Sequence, residues 1–129
     1  MSDLRLKEAK ALLEAGFPEG AYYLAGYSVE CALKACIAKR TREHDFPDKE
    51  LANKSYTHDL AKLLKSAELE IELDTLLQAD PSIRAKWGTT QLWNEESRYK
   101  SKTTSEAAEL LKAIDDETGG MLPWIRARW

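Results

Sequence analysis

Long apolar runs are missing from this 129-residue chain, although 43% of its residues are hydrophobic. No run approaches the roughly 18 residues that a membrane-spanning helix requires. The first ten residues, MSDLRLKEAK, also lack the apolar core of a signal peptide. We therefore expect a cytoplasmic protein with no membrane partner.

Signatures of metal and nucleotide-phosphate sites are also scarce. The two cysteines, Cys31 and Cys36, fall on one predicted helix and point to different sides of it, which argues against a disulfide and favours buried, reduced thiols. The two histidines, His44 and His58, are too far apart for a helical metal pair. Glycine-rich phosphate loops and the HExxH motif are absent. We expect no metal and no cofactor.

The charge balance gives a further exclusion. The net charge is -3, and a protein without a basic field does not bind long duplex DNA tightly. Local basic patches remain compatible with this balance. The length fits one domain over residues 1–129.

Helical periodicity runs along most of the chain, whereas alternating β-branched stretches are absent. The pattern predicts an all-α, antiparallel helical bundle with two long core helices, short connecting helices and a C-terminal closing helix. Residues 41–56 are predicted to form a loop. Four predicted helices have both bounds: Asp3–Ala15, Pro18–Arg40, Ile71–Ala79 and Ser82–Trp93, the last with a weak point at Gly88. A further helix is capped by Thr57, and another begins at the Thr103–Glu106 capping box. The segment MLPWIRARW is predicted to add a final turn.

The second predicted helix is small or apolar on nearly every side, except at Glu30 and Lys34. A helix of this kind is packed by neighbours around most of its girth. We interpret it as the central helix and as part of a two-fold homodimer interface. An acid in such a helix needs a partner, and both Lys34, four residues on, and Arg98 are candidates.

The stretch NEESRYKSKTT carries Arg98 and Tyr99 directly after Trp93. Arg98 can clamp a phosphate, or it can pair internally with Glu30. A Trp beside it can stack a base if it is exposed. His58, next to Asp59, is either a residue of a helix start or a general acid or base.

These segments together resemble the HEPN family (higher eukaryotes and prokaryotes nucleotide-binding domain). The resemblance spans about Leu4 to Ile125 and is carried by AYYLAGYSVECALKACIAK, THDLAKLLKSAEL, LWNEESRY, EAAELLKAI and LPWI. It implies an all-α up-and-down bundle that usually dimerises. Many members of the family are metal-independent ribonucleases, often toxins paired with a minimal nucleotidyltransferase, and others are non-catalytic modules that bind RNA or nucleotides.

The ribonuclease members carry an Arg and, after four to six intervening residues, a His. Arg98 matches that Arg, but the corresponding positions of the His hold Thr103, Thr104 and Ser105. A hydroxyl group cannot accept a proton at neutral pH as imidazole can. His58, from another helix, would have to replace the missing group.

We therefore interpret the chain as a dimeric binding module for a nucleotide or RNA, or for a nucleotidyltransferase partner, as in a toxin–antitoxin pair. The alternatives are a metal-independent ribonuclease with Arg98 and His58 as catalytic residues, and a pure protein-interaction module. The predicted ligand-binding residues are Glu30, Lys34, Asp59, Trp93, Arg98 and Tyr99.

Overall fold

The computed structural model describes residues 1–43 and 57–129, except for the side chains of residues 41–43 and 98. Residues 44–56 of the loop predicted over residues 41–56, including His44, lie outside the described residues. In the described part the chain is helical, without strands, so the predicted all-α class is confirmed. The elements are α1 (Ser2–Glu14), α2 (Pro18–Glu43), α3 (Leu60–Ser66), α4 (Glu70–Ala79), α5 (Pro81–Gln91), a 3-10 turn (Glu95–Tyr99), α6 (Thr104–Asp115) and α7 (Met121–Arg126).

The turn between α1 and α2 is set by Gly16. Its φ is +87°, a left-handed conformation that favours glycine. The amide of Gly16 donates to the Leu13 carbonyl at 3.2 Å, and the amide of Phe17 donates to the Leu12 carbonyl at 2.8 Å. These two bonds close the end of α1 as a Schellman motif. Pro18, which lacks an amide donor, then begins α2.

The central element is α2, which contacts α1, α3, α6, α7 and the 3-10 turn. Many of its small and apolar residues are buried within the single chain; Ala21, Ala25, Val29, Ala32 and Leu33 are each 0% exposed. The dimer argument requires apolar surface on α2 that one small bundle does not cover, and Leu24, Cys31 and Ala35 are only partly buried. Dimerisation remains a prediction that rests on the family resemblance.

Three local predictions are corrected by the structure. Helix α2 runs on to Glu43, past the predicted end at Arg40. Helix α3 is capped by Asp59, whose carboxylate accepts from the Lys62 amide at 3.2 Å, and not by Thr57. Helix α5, Pro81–Gln91, passes through Gly88 without a break, because the rest of the helix is long enough to tolerate one glycine. Among the described helices, none is both apolar and long enough to cross a membrane.

Candidate binding cleft

A cleft of about 470 Å³ lies between the start of α3 and the segment that joins α5 to the 3-10 turn. It combines residues from two parts of the chain that are more than thirty positions apart. Its described lining consists of Thr57, His58, Asp59, Gln91, Leu92, Trp93, Asn94, Glu95 and Glu96. Polar side chains dominate this set, so the cleft is a candidate for recognition of a polar or charged group.

His58 lies between two carboxylates. Its Nδ1 contacts Oε1 of Glu30, a side chain that is 1% exposed. Its Nε2 lies 3.1 Å from Oε2 of Glu95, which is 53% exposed. The contact with Glu30 is a hydrogen bond, whereas the contact with Glu95 is an ion pair only when the imidazole is protonated. Glu30 thus contacts the ring from the protein interior, and Glu95 contacts it from the side of the cleft.

Local capping places both of these contacts. Asp59, which is directly after His58, caps α3, so His58 lies just before the start of this helix. On the other side of the cleft, the Asn94 Oδ1 accepts from the Glu96 amide at 2.9 Å and begins the 3-10 turn. Short polar side chains favour such positions because they satisfy free amides. The first cap sets the position of His58, and the second sets the position of Glu95.

Trp93 forms the wall next to this pair and is 2% exposed. Its ring lies directly on the backbone of Gly26 in α2, so that an ideal Cβ at Gly26 would overlap the ring. Gly26 precedes Glu30 by one helical turn on the same face of α2. The indole Nε1 of Trp93 has no hydrogen-bond partner among the described residues. Trp93 thus packs tightly on α2 while its buried indole donor is unsatisfied within the described part of the chain.

The electrostatic character of the cleft is acidic. Asp59, Glu95 and Glu96 contribute carboxylates, and the described lining contains neither Lys nor Arg. At 4 Å two like unit charges repel by about 1 kcal/mol in water and by about 4 kcal/mol near a protein surface. The described lining by itself disfavours a phosphate group.

Thiol chemistry is disfavoured as well. Both cysteines are free. Burial raises the pKa of the Cys31 thiol, with a further contribution from the nearby Glu30 carboxylate, and burial also raises the pKa of the Cys36 thiol. A raised pKa reduces the thiolate fraction and hence reactivity. No metal-binding group of His, Cys, Asp and Glu occurs among the described side chains.

The family model of the HEPN domain matches residues 1–117 of the 129. The chain belongs to the HEPN family. Neither a curated protein nor a solved structure gives a match. Membership implies a nucleotide- or RNA-related, or ribonuclease-like, function for this HEPN domain.

The structure brings several of the residues predicted from sequence together at this cleft. His58, Asp59 and Trp93 line it, and Glu30 lies behind His58. The described partner of Glu30 is His58, which corrects the expected pairing with Lys34. The second expected partner, Arg98, has its backbone in the 3-10 turn, and its side chain lies outside the described residues. These placements leave the predicted site roles untested.

The remaining two predicted ligand-binding residues differ in exposure. Lys34 is half-buried one turn along α2 from Glu30, and Tyr99 is 76% exposed at the end of the 3-10 turn. Base stacking by a Trp beside Arg98 is conditional on an exposed ring, and Trp93 does not meet that condition, because its ring is packed against α2.

Sequence reasoning missed Glu95 and Gly26. Glu95 lies within the stretch NEESRYKSKTT, but nothing in its spacing separates it from Glu96, and only Glu95 contacts His58. Gly26 lies among several small residues of α2, and its role emerges only from the position of the Trp93 ring. Both residues depend on how distant segments pack, which local patterns do not encode.

Proposed function

We propose that this HEPN domain is a binding module, acting on a nucleotide or RNA or on a nucleotidyltransferase-type partner protein, and that it does not cleave RNA. One observation carries the proposal: both ring nitrogens of His58 are engaged by carboxylates, Nδ1 by Glu30 and Nε2 by Glu95. A general base needs a nitrogen lone pair that faces the proton to be removed. At His58, which would have to replace the family's missing histidine, Nδ1 is bonded to Glu30 and Nε2 faces the carboxylate of Glu95 and not a substrate proton.

The position of His58 agrees with a structural role. It contacts the buried carboxylate of Glu30, which has no other described side-chain partner. Burying an unpaired charge is costly. Assembly as a homodimer and membership in a toxin–antitoxin pair are part of the proposal through the family resemblance. The acidic lining of the cleft supports a protein partner over a direct phosphate contact at this point.

A second function, metal-independent ribonuclease, is favoured by one specific observation. A buried carboxylate on Nδ1 orients the imidazole and leaves Nε2 toward the cleft, the arrangement used in carboxylate–histidine pairs of hydrolases. The 3-10 turn that supplies Glu95 also contains Arg98. If Glu95 moves away, His58 and Arg98 are the residues that would carry cleavage.

The test is a metal-free incubation with labelled single-stranded RNA between about pH 5.5 and 8, the range in which histidine chemistry operates. The parent protein is compared with Arg98→Ala, His58→Ala and Glu95→Gln. We expect no cleavage above background in any of them. Cleavage by the parent that both alanine substitutions abolish, with both variants folded, would establish the ribonuclease instead. Cleavage only by Glu95→Gln would show that Glu95 suppresses a latent activity.

A further inference from the structure

His58 connects the two sides of the candidate cleft. It lies just before α3, and its ring contacts Glu30 of α2 through Nδ1 and Glu95 of the 3-10 turn through Nε2. The two carboxylates differ in environment, because the Glu30 side chain is 1% exposed and the Glu95 side chain is 53% exposed. The state of one imidazole ring therefore affects how two separate elements are joined.

The number of protons on the ring decides how many carboxylates it can bind. An imidazolium has two N–H donors, whereas a neutral imidazole has one donor and one lone pair. A lone pair on Nε2 would repel Oε2 of Glu95, which lies 3.1 Å away. In this geometry the neutral ring can keep only one of its two contacts. Histidine is the side chain that changes between the two states in the range of about pH 5 to 8.

Burial decides which contact the neutral ring keeps. Glu30 is buried and has no other described side-chain partner, so the loss of its donor would leave a desolvated carboxylate unpaired. Glu95 is half exposed and can turn to water at little cost. Breaking a buried pair typically shifts the unfolding equilibrium by a factor of about one hundred or more, and breaking an exposed pair by about five or less. The remaining proton therefore belongs on Nδ1, and Glu95 is the partner that is released.

Other charged residues are close to these partners along the chain. They are Asp59 and Glu96, which line the cleft, Lys34, which is one turn after Glu30 on α2, and Arg98, whose side chain lies outside the described residues. Within the described part of the chain, only Glu30 and Glu95 contact the ring. A test must separate the contact with Glu95 from the general charge of the cleft. Glu96, a neighbouring carboxylate without a described contact to the ring, provides the control.

We propose that Glu30, His58 and Glu95 form a pH-dependent latch across the cleft. The protonated ring joins Glu95 of the 3-10 turn to Glu30 of α2. The neutral ring keeps Glu30 and releases Glu95 to solvent, which opens the cleft beside His58. The latch goes beyond the proposed function and does not depend on it, because both states exist without a ligand.

A double-mutant cycle at two pH values tests the latch. The parent, His58→Gln, Glu95→Gln and the double variant are unfolded with urea at about pH 5.5 and 8, near the two ends of the usual histidine range. Glutamine suits position 58, because its amide can donate to Glu30 but does not titrate. We expect residues 58 and 95 to be coupled by about three- to fivefold in the unfolding equilibrium constant at pH 5.5, and by less than about twofold at pH 8.

The sign of this pH dependence follows from the contact itself. The ion pair requires the protonated ring, so its contribution to stability is present on the acidic side and is lost as the pH rises. The matched cycle with Glu96→Gln should show less than about twofold coupling to residue 58 at both pH values. Coupling to Glu95 that is equal at the two pH values, or equal coupling to Glu95 and Glu96, would overturn the latch.

The unmodified protein provides a second measurement that does not depend on any variant being stable. The NMR signals of the ring nitrogens of His58 report its tautomer, and their comparison with His58→Gln distinguishes them from those of His44. We expect the neutral ring at pH 8 to carry its proton on Nδ1. A proton on Nε2 would mean that the ring keeps Glu95 instead of Glu30, and would also overturn the latch. RNA cleavage in the metal-free assay would remove the proposed function but leave the latch intact, so the two failures are distinguishable.

Discussion

Glu30, which is 1% exposed in the central helix, is held by His58, a residue 28 positions further along the chain. The contact joins α2 to the start of α3 at the edge of the core. The histidine is 43% exposed, so water reaches one side of this pair only. Its contribution to stability therefore falls between that of an exposed pair and that of a fully buried one.

We expect Glu30→Ala to lower the free energy of unfolding by more than the ~1 kcal/mol of an exposed pair and close to the ~3–5 kcal/mol of a buried pair. Glu30→Gln should cost less, because the amide keeps the volume and one hydrogen bond to the imidazole. Urea unfolding of both variants, of His58→Ala and of the double variant gives the coupling energy. A coupling below ~0.5 kcal/mol would show that the two residues act independently.

Local sequence signals were enough to predict the helices that carry their own caps. The Thr103–Glu106 capping box is present as predicted, with Thr103 Oγ1 accepting from the Glu106 amide and Glu106 Oε1 accepting from the Thr103 amide, both at 3.1 Å. The left-handed Gly16 ends α1 as predicted. In each case the residues that determine the structure are within a few positions of one another.

The candidate site could be predicted only in part. The composition of α2 indicates that Glu30 needs a partner, but the sequence suggests Lys34 and Arg98 as candidates and not His58. The contact with His58 depends on the packing of α3 against α2, and the contact of Glu95 depends on the 3-10 turn. Neither arrangement has a periodic signal, because each joins segments that are distant in sequence.

The contact between Gly26 and Trp93 gives a second prediction. Gly26→Ala should lower the free energy of unfolding by ~1–3 kcal/mol, because the added methyl group overlaps the indole ring and forces it or α2 to move. The matched control is Gly88→Ala, at a helical glycine whose Cβ position has no atom within 4 Å. That substitution should be neutral or stabilise by up to ~1 kcal/mol through helix propensity. Equal effects at the two glycines would show that the ring is not held against α2.

The C-terminal helix α7 lies beyond the matched family segment, which ends at residue 117. It nevertheless contributes Met121, Leu122 and Ile125 to the core, each 0% exposed. Leu122→Ala should destabilise the protein by ~2–5 kcal/mol, because it opens a cavity in a packed interior. Leu92→Ala, at a leucine that is 74% exposed, should change stability by less than ~0.5 kcal/mol. A small effect at Leu122 would show that α7 docks only loosely.

The last prediction concerns acid stability and Asp116, at the end of α6. Hydrogen bonds from the Thr118 hydroxyl at 2.7 Å and the Thr118 amide at 3.0 Å, followed by the Lys86 ammonium at 3.0 Å, lower the pKa of Asp116 from 3.8 to about 2. The folded pKa is below the unfolded one, so the charged carboxylate stabilises the fold fully above about pH 5. This contribution is lost as the pH falls toward 2.

Asp116→Asn should therefore lower stability at pH 7, and its difference from the parent should shrink as the pH falls from about 5 to 2. Urea unfolding at several pH values measures this difference directly. Asp74→Asn is the control, because Asp74 is exposed and has no ion-pair or hydrogen-bond partner among the described residues. Thr118→Ala should reproduce part of the Asp116→Asn pattern, since it removes the hydroxyl that contributes most to the shift. A difference that stays constant with pH would mean that Thr118 and Lys86 do not favour the charged form of Asp116.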